Sequence, residues 1–140
     1  MATAAALYTP EVLALAANLA AYPWDESLPL KSQARSKSCG STIALGIGLD
    51  AQGRIERVAV RSQACAIGQA AAAIFAKAAP GRDAQAIQAA DIALAAWLAG
   101  EASLPDWPGL ETIAPARHYP ARHGAIRLAW QAARQLLPTG

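Results

Sequence analysis

The sequence has little charge and few of the side chains that most often carry chemistry. Only 16% of its 140 residues are charged, and the net charge of +2 comes from 12 basic and 10 acidic residues. So small an excess of positive charge gives no reason to expect nucleic acid or an anionic membrane as a partner. The chain has two cysteines and two histidines, but no glycine-rich phosphate loop, no Ser-His-Asp order and no paired carboxylates. It therefore lacks the signatures of nucleotide-binding and common hydrolytic sites.

Long uninterrupted apolar runs are also absent, although 54% of the residues are hydrophobic. No stretch reaches the roughly 18 uncharged apolar residues that a membrane span needs. The apolar N-terminus lacks the basic region of a signal peptide, and an acidic residue interrupts it. Thr9, Pro10 and Glu11 are instead typical of the start of a helix. We therefore expect a cytoplasmic protein that does not contact a membrane and has no structural disulfide.

The apolar periodicity changes along the chain from helical to alternating and back to helical. Alternating positions predict an antiparallel hairpin with strands at 41–49 and 54–62, preceded by a polar edge strand at 29–37. Helical spacing predicts helices at 9–21, 66–79, 84–99 and 121–137, with an extended linker at 114–120. The length suits one domain. We therefore predict a single α+β domain over residues 1–140, with a small antiparallel three-stranded sheet and helices packed on one face.

The two cysteines lie on either side of the predicted hairpin. Cys39 lies in the sequence SCGS at 38–41, where Gly40 gives the backbone freedom to turn before the strand. Cys65 lies at the start of a predicted helix, where unpaired N–H groups and the helix dipole favour a thiolate. Because the hairpin returns the chain, both sulfurs can lie at one end of the sheet. Alternatively, such isolated cysteines can be unreactive residues that only pack in the core.

The two histidines add a third candidate ligand. His118 and His123 are five positions apart, which matches no zinc-binding spacing, and surface histidines are the plainer interpretation. His123, however, lies at the start of the last predicted helix. Together with Cys39 and Cys65 it forms a three-ligand set suited to a soft metal, in which thiolate dominates.

In order and spacing, these motifs resemble those of the iron–sulfur cluster assembly scaffold family of the IscU/NifU type. They are CGS at 39–41, ACAIGQA at 64–70 and RHG at 122–124, with 25 residues (40–64) between the two cysteines. The family carries Cys-Gly-Asp before a strand, a cysteine followed by small residues at the start of a helix, and a His-Cys or Lys-Cys pair at the last helix. YTPEVL at 8–13 also resembles its N-terminal helix. The resemblance covers most of the chain and implies an α+β fold of the SufE/NifU-like kind.

Two positions depart from the family pattern. Ser41 stands where the family has an aspartate, and a serine cannot supply a carboxylate ligand. The third cysteine is absent: Gly124 takes its place or, if the alignment shifts by one residue, His123 does. The fold is therefore expected to carry over, whereas the complete set of cluster ligands is not.

The resemblance implies a non-enzymatic scaffold or accessory protein that binds iron or a 2Fe-2S cluster transiently through Cys39, Cys65 and His123. It also implies a cysteine desulfurase and iron–sulfur acceptor proteins as partners. A homodimer, an external thiol or the more distant His118 could complete the ligand set.

Three alternatives stay open at this point. The same three residues could hold zinc, with water or an exogenous group as fourth ligand. One thiol could instead accept persulfide in a sulfur-transfer protein of the same fold. Lastly, the chain could be a degenerate family member that only binds partners.

Overall fold

The computed structural model describes residues 7–37 and 40–137. Its first α-helix is capped as the sequence predicts. Helix α1 spans Pro10–Ala17, and the Thr9 hydroxyl accepts a hydrogen bond from the Val12 amide at 3.2 Å. The chain then tightens into a 3-10 helix over Asn18–Ala21. The predicted helix at 9–21 is therefore confirmed, with a narrower final turn.

Three antiparallel strands form one sheet in the order of the sequence: β1 (Leu30–Arg35), β2 (Thr42–Leu49) and β3 (Ile55–Gln63). The predicted hairpin is confirmed, and β1 is the polar edge strand that was expected. Arg35 pairs with Thr42, and Thr42 in turn pairs with Gln63. The end of β1, the start of β2 and the end of β3 therefore lie at the same end of the sheet.

A bulge in β3 explains why its apolar residues are not strictly alternating. Regular alternation from Val58 would direct Glu56 towards the core, but the register shifts after Gly48 and Ile55 takes that position. Ile55 is 1% exposed, whereas Glu56 is exposed to solvent. The bulge thus keeps a charged side chain out of the core.

The two faces of the sheet are covered by different kinds of structure. Leu45 and Ile47 of β2 are fully buried on the face against which helices pack. On the other face lies Leu28, from the segment before β1. A Cβ on Gly46 or Gly48 would come within 3.3 Å of its methyl groups, so these glycines make room for it. The predicted α+β fold with helices on one face is confirmed for the part of the chain described here.

Three longer helices follow the sheet: α2 (Ala66–Ala78), α3 (Ala84–Leu98) and α4 (His123–Leu136). Helices α2 and α4 pack on the sheet and on each other, α3 packs on α4, and α1 on α2. Phe75, Trp107 and Trp130 form a buried aromatic cluster with ring centroids 5.3 to 5.7 Å apart. Each such pair contributes about 0.5–1.5 kcal/mol beyond its buried area, which strengthens the α2–α4 contact. Within the described ranges, no helix is both long and apolar enough to cross a bilayer.

The segment before α4 is helical, so the predicted extended linker at 114–120 is wrong. One 3-10 helix spans Leu110–His118 and a second spans Pro120–Arg122. Ile113 and Ala116 are buried, 1% and 0% exposed, and their spacing of three residues is the period of a 3-10 helix. Burial of these two side chains against the core therefore decided the conformation of the segment.

Candidate functional site

Cys65 lies at the N-terminal end of α2, as the sequence predicts. It occupies the N-cap position in an extended conformation, and its carbonyl accepts a hydrogen bond from the Gln69 amide at 2.9 Å. Its side chain makes no capping hydrogen bond, the sulfur is a free thiol, and the residue is half-buried. The thiol therefore does not cap the helix, and the partly buried side chain packs against the edge of the hydrophobic core.

The first cysteine belongs to the loop that joins β1 to β2. Cys39 itself lies outside the described residues, but hydrogen bonds define the loop around it. The Ser36 amide donates to the Ser41 carbonyl at 2.8 Å, and the Gly40 amide donates to the Ser36 carbonyl at 2.9 Å. Gly40 has a φ of +71°, so the turn itself requires the glycine that follows the cysteine. Ser41, at the position of the family's aspartate, is buried with 6% of its surface exposed.

The two histidines have different environments. His123 begins α4 and is half-buried, and its Nε2 lies 2.6 Å from the carbonyl oxygen of Arg117. His118 is the last residue of the 3-10 helix Leu110–His118 and is exposed. The ring of His123 is held in place, as a ligand needs to be, and this contrast favours it over His118.

The starts of α2 and α4 meet at Gly68. A Cβ on Gly68 would lie 3.2 Å from the Cβ of Ala125 in α4, and also 2.8 Å from the Cβ of Ala64 just before α2. A larger residue would therefore disturb both the start of α2 and its contact with α4. Cys65 precedes Gly68 by three residues, and His123 precedes Ala125 by two. Both therefore lie within one helical turn of the contact. The fold brings together the helix starts that carry two of the three predicted ligands.

The start of β2, which follows Cys39 in the chain, lies at the end of the sheet from which the chain enters α2. Thr42 pairs with Gln63, and one residue separates Gln63 from Cys65. The turn at 50–53 lies at the opposite end of the hairpin. The hairpin therefore returns the chain as the sequence predicts, and the start of β2 and the residues that lead into α2 lie at the same end of the sheet.

Among residues 7–37 and 40–137, no three His, Cys, Asp or Glu side chains lie close enough together to hold a metal ion. The predicted ligand set has Cys39 as one of its three members, so the described residues contain only two of them. Cys39, Cys65 and His123 as a ligand set thus stay a prediction. Two thiolates and an imidazole are donors that suit iron and zinc.

A buried charge cluster, which the sequence analysis missed, joins α3 to α4. Asp91 is only 2% exposed, and its carboxylate accepts hydrogen bonds from Arg127 at 3.3 Å and from Arg134 at 3.1 Å. An acid inside an alanine-rich helix was the one local signal. Its partners are 36 and 43 residues further along the chain, so no local pattern identifies them. The cluster stabilises the position of α4, which carries His123.

Asp25 and Glu26, which lie outside this cluster, have pKa values below their ordinary range. The hydroxyl and the amide of Ser27 both donate to Asp25 and are the main cause of its lowered pKa, to which Arg57 adds. The indole N–H of Trp24 is the main cause of the lowered pKa of Glu26. These residues belong to the segment between α1 and β1 and lie apart from the helix starts described above.

Solved structures of iron–sulfur and nitrogen-fixation proteins share this fold. The N-terminal part of a nitrogen-fixing NifU-like protein from Brucella abortus is 26% identical, with a TM-score of 0.83 over 93% of this chain and 91% of that one. A proposed iron–sulfur cluster assembly scaffold protein for the SUF system from Fervidobacterium islandicum is 17% identical, with a TM-score of 0.84 over 96% and 98% of the two chains. A third structure, of a protein without an assigned function, has a TM-score of 0.74 at 21% identity over 89% and 95%.

No protein-family model and no curated protein matches the sequence. The likeness therefore comes from the three-dimensional fold. It agrees with the resemblance that the sequence motifs predict: the structural neighbours are NifU-like N-terminal and SufU-type iron–sulfur scaffold proteins.

Proposed function

We propose that this chain, which shares the fold of NifU-like and SufU-type iron–sulfur scaffold proteins, is a non-enzymatic scaffold or accessory protein of iron–sulfur cluster assembly. Iron or a 2Fe-2S cluster is its cargo, bound transiently through Cys39, Cys65 and His123. A cysteine desulfurase supplies the sulfur, and acceptor proteins receive the cluster. The chain acts in the cytoplasm as one IscU/NifU-like domain over residues 1–140.

The contact between the starts of α2 and α4 at Gly68 is the observation that carries this proposal. It supports a site in which one thiol and one imidazole come from two helices packed on the same sheet, next to the loop that contains Cys39. A 2Fe-2S cluster ordinarily has four protein ligands, and this chain offers three. An external thiol or a residue from a second copy in a homodimer completes the set. A cluster with an exchangeable ligand is released readily, which suits a transient carrier.

Anaerobic reconstitution with ferrous iron and sulfide tests the proposal. The wild-type protein should develop visible charge-transfer absorbance, and Cys39→Ala, Cys65→Ala and His123→Ala should each remove most of it. His118→Ala is the matched control, because it deletes the exposed histidine five residues earlier and should leave the absorbance intact. A wild-type protein that stays colourless and takes up only zinc would replace the cluster by a zinc site.

A second candidate function, acceptance of persulfide, is supported by Cys65, whose free thiol is half-buried and makes no capping hydrogen bond to the helix. In that reaction the Cys65 thiolate attacks the outer sulfur of a desulfurase persulfide. The sulfur–sulfur bond breaks, and the desulfurase cysteine leaves as a thiolate, so no oxidant is needed. Mass spectrometry after incubation with a desulfurase separates the two functions. One added sulfur atom on Cys65 without bound metal favours the acceptor, whereas colour on reconstitution favours the scaffold.

A further inference from the structure

Arg117 connects the end of α3 to the first residue of α4. Its side-chain Nε donates a hydrogen bond to the carbonyl oxygen of Trp97 at 2.9 Å, in the last turn of α3. Its Nη2 lies so close to Gly100 that a Cβ there would be 2.9 Å away. Carbonyl groups at the C-terminal end of a helix attract cations, so the guanidinium is well placed there. The backbone of Arg117 is thereby fixed relative to the core.

The carbonyl group of Arg117 also determines which nitrogen of His123 carries a proton. A carbonyl oxygen can only accept, so at 2.6 Å the Nε2 of His123 must be the donor. In a neutral imidazole with the proton on Nε2, the lone pair that can bind a metal is on Nδ1. Within the described residues, the contact with Arg117 is the only hydrogen bond of the ring.

We propose that Arg117 is a positioning residue for the candidate metal site and that Nδ1 is the ligand atom of His123. The side chain of Arg117 anchors its own backbone to α3. The carbonyl of that backbone then holds the imidazole in the Nε2–H form, with Nδ1 free to bind. Metal-ligating histidines generally donate their second ring N–H to such a partner, which fixes both tautomer and orientation. The assignment of Nδ1 as a ligand depends on the proposed function, whereas the assignment of the tautomer does not.

Nitrogen-15 NMR of the histidine rings in the metal-free protein tests the tautomer. His118→Gln assigns the two ring systems, because it leaves His123 as the only histidine. The expected spectrum at pH 8 has a protonated Nε2 and an unprotonated Nδ1 on His123. A proton on Nδ1, or the averaged signals of a freely exchanging imidazole, would overturn the proposal.

Variants of Arg117 test its role. In Arg117→Ala the His123 signals should shift towards the tautomer average, and zinc affinity should fall by about 10-fold, the effect usual for loss of such a partner. Arg117→Lys keeps a donor for the Trp97 carbonyl and should restore both. Arg122→Ala removes a positive charge next to His123 but leaves the hydrogen bond from the Arg117 side chain to the Trp97 carbonyl, so it should change neither. Circular dichroism checks that every variant is folded. An Arg117→Ala protein with unchanged His123 signals would rule Arg117 out as a positioning residue.

Titration with zinc alone tests Nδ1 as the ligand atom. Binding should shift the Nδ1 signal of His123 strongly and leave Nε2 protonated. Zinc that binds without moving Nδ1 would overturn the ligand assignment. If the Nε2–H tautomer depends on Arg117 but no zinc binds, the positioning of the ring is established while Nδ1 as ligand, and with it the zinc version of the function, is rejected.

Discussion

Replacing Gly68 by alanine should impair the candidate site far more than the stability of the fold. The new Cβ would lie 2.8 Å from the Cβ of Ala64, which leads into α2, and 3.2 Å from the Cβ of Ala125 in α4. The first contact distorts the start of α2, and the second shifts it relative to α4 by a few tenths of an ångström. Overpacking of this kind costs about 1–3 kcal/mol. Alanine in place of glycine inside a helix regains about 1 kcal/mol. The free energy of unfolding should therefore fall by only about 0–2 kcal/mol.

The displacement separates the helix starts that carry Cys65 and His123. We expect zinc affinity of Gly68→Ala to fall on the order of 10-fold, with a parallel loss of absorbance after reconstitution with iron and sulfide. Zinc affinity is measured by competition with a chromophoric chelator, and stability by urea unfolding of the metal-free protein.

Gly53→Ala is the matched control. Gly53 has a φ of +79° in the turn at the opposite end of the hairpin, where a Cβ would meet nothing within 4 Å. Alanine there costs about 1–2 kcal/mol of backbone strain, so stability should fall by an amount similar to that in Gly68→Ala. Zinc affinity should be unchanged. Wild-type zinc affinity in Gly68→Ala, or equal losses in both variants, would refute the reasoning that the α2–α4 contact forms the site.

Two further predictions concern groups outside the site. Asp91→Asn should lower the free energy of unfolding, measured in urea, by about 1–3 kcal/mol, because two arginines lose a buried carboxylate. The control Asp106→Asn replaces an exposed acid and should change it by less than about 0.5 kcal/mol. Similar effects of both variants would show that the buried cluster is not stabilising. Ser27→Ala should raise the pKa of Asp25 towards its ordinary value of 3.8 in an NMR titration. A carboxyl group whose pKa is lower in the folded state stabilises the folded protein above its unfolded-state pKa, and this stabilisation is lost as the pH falls through its folded-state pKa. Ser27→Ala should therefore lose less stability than the wild type on acidification below pH 4. An unchanged pKa of Asp25 would contradict the assigned cause.

The order of elements and the class of fold followed from local patterns in the sequence. The hairpin came from alternating apolar residues, and the helix starts came from caps such as Thr9, because both signals act over a few residues. The 3-10 segment before α4 did not follow, since burial of Ile113 and Ala116 outweighed the local preference for an extended linker. The bulge that directs Ile55 inwards was likewise decided by the register of a neighbouring strand.

The candidate site divides in the same way. The sequence by itself singled out Cys39, Cys65 and His123 as donors, because residue type and position at an element's start are local properties. Local patterns did not show that the starts of α2 and α4 are in contact, nor that the Arg117 carbonyl meets the imidazole of His123. The packing of α2 on α4 decided the first point, because contacts between distant segments depend on how closely two backbones can approach, and at Gly68 the absence of a side chain allows that approach. The second point was decided by the hydrogen bond from Arg117 to the Trp97 carbonyl of α3, which fixes the backbone carbonyl that meets the imidazole.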